Sequence, residues 1–209
     1  MAAIQVKPTR MELSNLKKRL KVAIRGHKMM KDKRDELVRR FIGYARRNRA
    51  LREEVEQKLS AAMQGFVLAR ASMSNAEIEE ALMYPARAAD VQTGSKNVLS
   101  ILVPSLSIEA QEGFTYPYGF ATTSADLDTA VQQLALVLPL LIELAEVEKT
   151  CGRLSDEIEK TRRRVNALEY VMIPQFTDAI RRIQMKLDEN ERGNLTRLMK
   201  TKDMLQAQK

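Results

Sequence analysis

The sequence predicts a mainly α-helical protein: a long antiparallel two-helix coiled coil with a small middle region that contains a short helix and a β-hairpin. Charged residues make up 30% of the 209 residues, and aromatic residues only 5%. Eight glycines and six prolines supply few turns, which argues against most all-β folds and against a pocket-rich enzyme. Heptad spacing of apolar residues in the first and last parts of the chain then favours a coiled coil.

These observations divide the chain into three parts. Residues 1–70 are the N-terminal coiled-coil helix, 71–125 the middle region, and 126–209 the C-terminal coiled-coil helix. Two long helices joined by a compact middle pair most simply when the second folds back on the first. We therefore expect one continuous rod-shaped unit, with both termini at one tip and the middle region at the other.

The first helix begins at a capping box. Thr9 and Glu12 have the spacing at which the threonine hydroxyl caps the helix backbone and the glutamate reaches back. An apolar seam then advances in alternating steps of three and four residues. The seam positions are Leu13, Leu16, Leu20, Ala23, His27, Met30, Arg34, Leu37, Phe41, Tyr44, Asn48, Leu51 and Val55. Beyond them the pattern shifts to Leu59, Met63 and Phe66, which is a local stutter.

The middle region combines a second capping box with β-branched residues. Ser74 and Glu77 open a short helix that Pro85 stops. The segment 98–108 is partly alternating and rich in valine and isoleucine, which predicts a β-hairpin. The residues expected to supply its turns are Gly113, Pro117 and Gly119.

The last helix begins near Thr123–Asp126 and keeps helical spacing of apolar residues. Its stripe consists of Leu134, Val137, Leu138, Leu141, Leu144, Val147, Cys151, Leu154, Ile158, Val165, Leu168 and Met172, then Phe176, Ile180, Ile183, Leu187, Leu195 and Leu198. Pro139 and Pro174 are each expected to kink this helix or to cost it a hydrogen bond.

Several classes of function do not fit the residues. Gly94-Ser95-Lys96 lacks the earlier glycine of a phosphate-binding loop. The single His27 and the single Cys151 lack the spacing of metal ligands and are interpreted as seam residues, so we expect no metal and no cofactor. A buried Arg34 would need an acidic partner from the second helix. One cysteine fits a reducing cytoplasm, and the absence of an uncharged apolar run of about 18 residues predicts no membrane span.

Basic residues are concentrated in the first part of the chain. Residues 1–60 hold 18 Lys and Arg against 7 Asp and Glu, whereas residues 71–125 hold 2 against 6. The basic runs are 17–19, 25–33, 46–49 and 162–164. Such runs usually form a solvated face, and nucleic-acid binding is the functional alternative. Aromatic residues do not alternate with these runs as stacking platforms do, which argues against nucleic acid.

Several segments near both ends of the chain resemble the D subunits of V-type (A/V-type) rotary ATPases. The matching segments are Pro8–Leu13, Leu16–Leu20, Arg25–Lys28, Lys31–Leu37, Ala145–Thr150, Arg162–Tyr170 with Ile173 and Pro174, and Leu187–Arg192. The middle region matches mainly in character. The resemblance implies a non-catalytic rotor axle in the central stalk, which couples ATP hydrolysis or synthesis to proton or sodium transport.

The resemblance also implies partners and a location. The paired termini would enter the ring of A and B subunits, which holds the nucleotide sites; the small F subunit would bind the middle region, and the funnel-shaped C/d subunit would hold the lower end. The protein would lie peripherally on the cytoplasmic face of the membrane. The residues expected to face the A/B ring are Arg10, Lys17, Lys18, Arg19, Arg162, Arg163 and Arg164. Those expected to bind the F subunit or to serve coupling are Val98, Ile101, Val103, Leu106 and Ile108.

Three other interpretations remain open from the sequence. A prefoldin-like chaperone subunit also joins antiparallel helices through β-hairpins, although it should have apolar helix tips. The others are a nucleic-acid-binding coiled coil and a cytoskeletal rod.

Overall fold

A computed structural model describes residues 7–84, 89–108, 116–121 and 123–207. Its elements are helix α1 (Arg10–Ser72), helix α2 (Asn75–Leu82), strands β1 (Val91–Val98) and β2 (Ile101–Ile108), helix α3 (Ala125–Ala167), a π-turn (Leu168–Met172) and helix α4 (Ile173–Ala207). The predicted fold class is confirmed: two long helical segments are joined through a short helix and an antiparallel hairpin.

The chain forms two compact units by internal contacts, Met1–Glu36 with Ile158–Lys209, and Leu37–Glu157. In the first unit, α1 packs antiparallel on α4 around Leu16, Ala179, Ile180 and Ile183. In the second, the core is formed by Ala69, Ala81 and Leu127, with partly buried side chains packed against it. Those flanking residues are Phe66, Met73, Tyr118 and Val131. The expected single rod stays a prediction.

The heptad seam of α1 is confirmed. Every predicted seam position from Leu13 to Val55 is buried or half-buried, and Leu37 is 0% exposed. The Thr9 hydroxyl caps the helix by accepting from the backbone N–H of Glu12 at 3.2 Å. Periodicity alone therefore identified the face that the helix buries.

Beyond the stutter, one predicted seam residue is wrong. Met63 is 50% exposed, and Ala62, its neighbour in sequence, is completely buried instead. The reason is a close approach of two helices within the second unit, where a Cβ added to Gly65 would lie 3.0 Å from the Ala130 Cβ. Only small side chains fit at that distance, so the seam follows Ala62 and Ala69 rather than the larger methionine.

The hairpin lies earlier in the chain than the sequence indicated. Its strands pair from Val91↔Ile108 to Val98↔Ile101, so Leu99 and Ser100 form the turn. Both turn residues have positive φ, 52° and 67°, as a type I′ turn requires. The chain does bend at Pro117 and turn just after Gly119, but these turns do not belong to the hairpin, and the turn expected at Gly113 lies outside the described residues. Strand β1 escaped prediction because it is polar and almost wholly exposed.

The capping box of α2 is confirmed in both directions. The Ser74 hydroxyl accepts from the Glu77 backbone N–H at 3.3 Å, and the Glu77 carboxylate accepts from the Ser74 backbone N–H at 2.8 Å. Helix α2 ends at Leu82, and the predicted stop at Pro85 lies outside the described residues.

The two prolines of the C-terminal segment act differently. Pro139 lies inside α3, where it donates no backbone hydrogen bond but does not end the helix. Pro174 follows the π-turn, in which the N–H of Ile173 donates to the carbonyl of Leu168. The helix continues through Pro174, directly after this wider π-turn.

The apolar stripe of α3 and α4 is confirmed at most positions, although Leu138, Leu141 and Met172 are 39%, 39% and 41% exposed. Val137, Leu154 and Val165 are almost fully buried, whereas Leu195 and Leu198 are 57% and 67% exposed. These two leucines lie beyond Glu191, which pairs with the first residue of α1. They therefore belong to a part of α4 that α1 does not reach.

Candidate functional site

The predicted ring-facing residues of α1 are exposed. Lys17, Lys18 and Arg19 project into solvent, whereas the Arg10 guanidinium donates to the Glu191 carboxylate of α4. This ion pair joins the start of α1 to α4 within the first unit. The three residues 17–19 thus offer the freer positive charge for a partner.

The three arginines 162–164 of α3 are also exposed. Arg163 pairs with Glu159 one turn earlier on the same helix. Exposed pairs of this kind contribute about 0–1 kcal/mol each. A partner carboxylate can therefore replace Glu159 at little cost.

Polar seam residues are held by specific partners. The His27 ring nitrogen lies 3.3 Å from a Glu169 carboxylate oxygen in the π-turn. Arg34 donates to Asp35 of its own helix at 2.7 Å. Because the guanidinium is half-buried rather than buried, the condition under which it would need an acidic partner from the second helix is not met.

The hairpin residues predicted to bind a partner are less accessible than expected. Val103 is 3% exposed and belongs to the interior, while Val98, Ile101, Leu106 and Ile108 are half-buried. The most exposed large apolar residue of the hairpin is Leu102, at 65%. The alternation of β2 explains the difference, since successive side chains point to opposite faces.

One glutamate of α3 holds the hairpin, although no sequence pattern pointed to it. The Glu146 Oε2 accepts from the backbone N–H of Leu106 at 2.8 Å. Its Oε1 lies 3.6 Å from the Lys96 ammonium. The matched segment 145–150 contains this residue, but nothing in its spacing reveals a contact forty residues away in the chain.

Neighbouring carboxylates of α3 hold α1 instead. Glu143 accepts from Arg47, and Glu148 accepts from Arg52. Basic side chains thus lie on α1 and their acidic partners on α3. The three glutamates of 143–148 thus connect α3 to α1 and to both strands of the hairpin.

An aromatic cluster lies beside the start of α3. The Tyr116 ring centroid is 5.8 Å from that of Tyr118 and 5.4 Å from that of Phe120. The Tyr118 hydroxyl donates to Asp128 at 2.8 Å. Burial is the larger cause, and the hydrogen bond to the Asp128 carboxylate the second, of a Tyr118 pKa well above its ordinary value. The phenol therefore stays protonated and ties the cluster to α3.

Among the described residues, the remaining candidates, the single cysteine and possible metal ligands, show no sign of a reactive site. Burial raises the pKa of the Cys151 thiol, although a hydrogen bond with the Asn48 side chain acts in the opposite direction. A thiol so held is a poor nucleophile. Within the described ranges, no group of three or more His, Cys, Asp or Glu side chains could hold a metal ion.

The C-terminal helical segment contains an apolar stretch. The segment Ala125–Gln206 contains an 18-residue window with mean hydropathy 1.6, of which 17% is buried. By length and composition alone this helical segment could cross a membrane, although such a test is also passed by core helices of soluble proteins. The uncharged run lies between Asp128 and Glu143. It buries Val137 completely, whereas Leu136 is 64% exposed, so it presents an apolar surface as well as a core face.

Comparison with known proteins places the chain in one family. The profile of the ATP synthase D subunit matches residues 12–203. The V-type ATP synthase D subunit of Acetivibrio thermocellus is 55% identical, covering 100% of this chain and 95% of that protein. The corresponding protein of Clostridium novyi is 53% identical, covering 100% and 98%. That of Thermoanaerobacter sp. (strain X514) is 54% identical, covering 98% and 99%. Since both the profile and these relatives extend over nearly the whole sequence, the chain belongs to the family of ATP synthase D subunits.

Proposed function

We propose that this chain is the central-stalk rotor subunit of a V-type rotary ATPase. It would transmit torque between the catalytic A/B ring and the ion-translocating membrane ring, coupling ATP hydrolysis or synthesis to proton or sodium transport. The observation that carries the proposal is the seam of α1, buried or half-buried at every predicted position from Leu13 to Val55. A helix packed along such a seam resists bending, as torque transmission requires.

The names of the relatives support the same assembly. They are subunits of V-type ATP synthases, and this chain matches them almost end to end. The proposed partners are the A and B subunits, the small F subunit and the funnel-shaped C/d subunit. In this assembly the chain is a non-catalytic subunit, peripheral on the cytoplasmic face of the membrane. The prefoldin-like alternative has no support among these relatives, which are V-type ATP synthase subunits.

Surface charge supports a sliding contact with the ring. A rotor must release each contact as it turns, and exposed ion pairs are weak enough to be remade at every step. A deeply buried apolar anchor, at about 2–4 kcal/mol for a strong hot spot, would hold the axle in one position. The basic residues 17–19 and 162–164 are exposed and positively charged, so they can form such weak ion pairs with a partner.

Reversing the charge of 162–164 tests this contact. Replacing Arg162, Arg163 and Arg164 with glutamate should weaken assembly with the A/B ring or slow ATP turnover. The matched control replaces the same three residues with lysine, which keeps the positive charge and should retain most of the function. Wild-type assembly and turnover in the glutamate variant would refute the role of these arginines.

The hairpin is the proposed element for binding the F subunit or for coupling. Deleting residues 98–108 should leave the helices folded, because β1 and β2 pair with each other rather than with a larger sheet. Co-purification of the F subunit or the ATPase rate of the complex should fall. Unchanged values of both would contradict the proposal for the hairpin without touching that for the arginines.

A further inference from the structure

We infer that Glu146 is the positioning residue of the hairpin: its carboxylate seats β2 on α3 by capping an amide at the free edge of the two-stranded sheet. The inference deepens the proposed role of the hairpin and rests on it only for the functional arm of the test. Three observations support it: the Leu106 N–H points away from β1, Pro104 on the same edge of β2 has no N–H, and the Glu146 carboxylate lies within hydrogen-bond distance of the Leu106 amide.

The register of the hairpin sets the direction of the Leu106 amide. The pair Val98↔Ile101 closes the two-residue turn and is therefore a hydrogen-bonded pair. Hydrogen-bonded and non-hydrogen-bonded pairs alternate along an antiparallel ladder, so Thr93↔Leu106 is of the second kind. The Leu106 N–H consequently points away from β1, and it donates to Glu146 Oε2 at 2.8 Å.

Pro104 lies on the same edge of β2. It is opposite Ser95, another non-hydrogen-bonded position, so its nitrogen also points outward. Proline has no N–H and is tolerated there because β1 needs none. With Pro104 lacking a donor and the Leu106 donor capped, the middle of this edge cannot pair with a further strand. Glu146 thus seats the hairpin and closes its edge with one contact.

The hydrogen bond from the Leu106 amide is stronger than the contact of Glu146 with Lys96. The Lys96 ammonium lies 3.6 Å from Oε1 and its side chain is 65% exposed, so water and salt screen the attraction. The Glu146 side chain is only 25% exposed, and the bond from Leu106 is short and charge-assisted. Because β1 is exposed along nearly its whole length, attachment depends mainly on β2.

Hydrogen exchange of the Leu106 amide in the full-length chain tests the inference directly. Glu146→Ala should speed exchange at this amide about ten- to a hundredfold, as loss of a charge-assisted hydrogen bond implies. Glu146→Gln keeps an acceptor oxygen and should cause a smaller increase. Lys96→Gln should cause little change.

The matched control is Glu148→Ala on the same helix. Glu148 pairs with Arg52 of α1, so its loss should leave exchange at Leu106 unchanged. An unchanged Leu106 amide in Glu146→Ala, or an equal increase in Glu148→Ala, would overturn the inference. Glu146→Gln retains a similar shape and helix preference, so it gives a result even if the alanine variant folds poorly.

The assembled complex provides the functional arm. If the hairpin serves coupling, Glu146→Ala should lower the ATPase rate or the retention of the F subunit in the same direction as deletion of 98–108. In a second outcome, the deletion impairs coupling while Glu146→Ala speeds exchange at the Leu106 amide and leaves coupling unchanged. That result would refute a functional role for the positioning of the hairpin by Glu146. If neither variant alters coupling while the amide opens, the proposed role of the hairpin fails and the seating of β2 by Glu146 stands.

Discussion

Replacing Thr161 with valine should stabilise the protein. Thr161 is 0% exposed, and among the described residues its hydroxyl finds no hydrogen-bond partner. Other helix threonines behave differently: the Thr177 hydroxyl donates to the carbonyl of Ile173 at 2.9 Å. Thr161 fills the seam position between Ile158 and Val165, where the sequence pattern had a gap. A polar group there is buried without compensation.

The expected gain follows from matching shapes. Valine has the same branched outline as threonine and a similar helix propensity, so the substitution creates neither a cavity nor strain. A buried unpaired hydroxyl costs about 1–3 kcal/mol. We expect Thr161→Val to raise the free energy of unfolding by about 1–2 kcal/mol, and Tm by about 2–8 °C for a chain of this length.

Thermal and urea unfolding, followed by far-UV circular dichroism, would measure the change. Thr177→Val is the control, because that threonine is exposed and its hydroxyl is paired; its effect should lie within about 0.5 kcal/mol. A loss of stability in Thr161→Val would refute the reasoning. It would show that the hydroxyl contributes a favourable interaction in the folded protein.

Three further predictions concern local geometry. Gly65→Leu should lower the free energy of unfolding by about 1–3 kcal/mol in the same assay, because a side chain there meets the facing helix at 3.0 Å; wild-type stability would contradict the close packing. Replacing Leu99 with asparagine and Ser100 with glycine should slow amide exchange in the hairpin by about tenfold or more, since both residues have positive φ; faster exchange would refute the turn assignment. The Glu77 pKa is lowered first by its bond from the Ser74 backbone, so its stabilisation of α2 is present above the unfolded pKa and is lost as the pH falls through the lower folded pKa. Amide exchange in α2 measured against pH should show this loss, and Glu77→Gln should abolish it; an identical pH profile in that variant would exclude the capping carboxylate.

The long helices could be predicted from the sequence because their information is local. A heptad repeat places apolar residues on one face whatever lies opposite, so the seam from Leu13 to Val55 was identified without a partner. The capping box at Ser74 is similarly contained within four residues. The pattern failed at Ala62, where a small residue is buried instead of the neighbouring Met63. It also failed at Thr161, where a polar residue is buried.

The hairpin shows what local patterns miss. Strand β1 is polar and exposed, and it forms because its backbone pairs with β2, which no side-chain periodicity signals. The turn at Leu99 and Ser100 lacks the Asn-Gly signature of its type. The residue that holds the hairpin, Glu146, lies forty positions away from the amide that it caps.

The sequence by itself determined the helical class, the buried face of each long helix and the concentration of positive charge, because each of these depends on residues a few positions apart. Only the tertiary structure decided where the hairpin turns, which carboxylate seats it, and which charges are neutralised within the chain. Those outcomes depend on distances between residues that are remote in sequence, such as Arg10 and Glu191, and chain folding alone sets such distances.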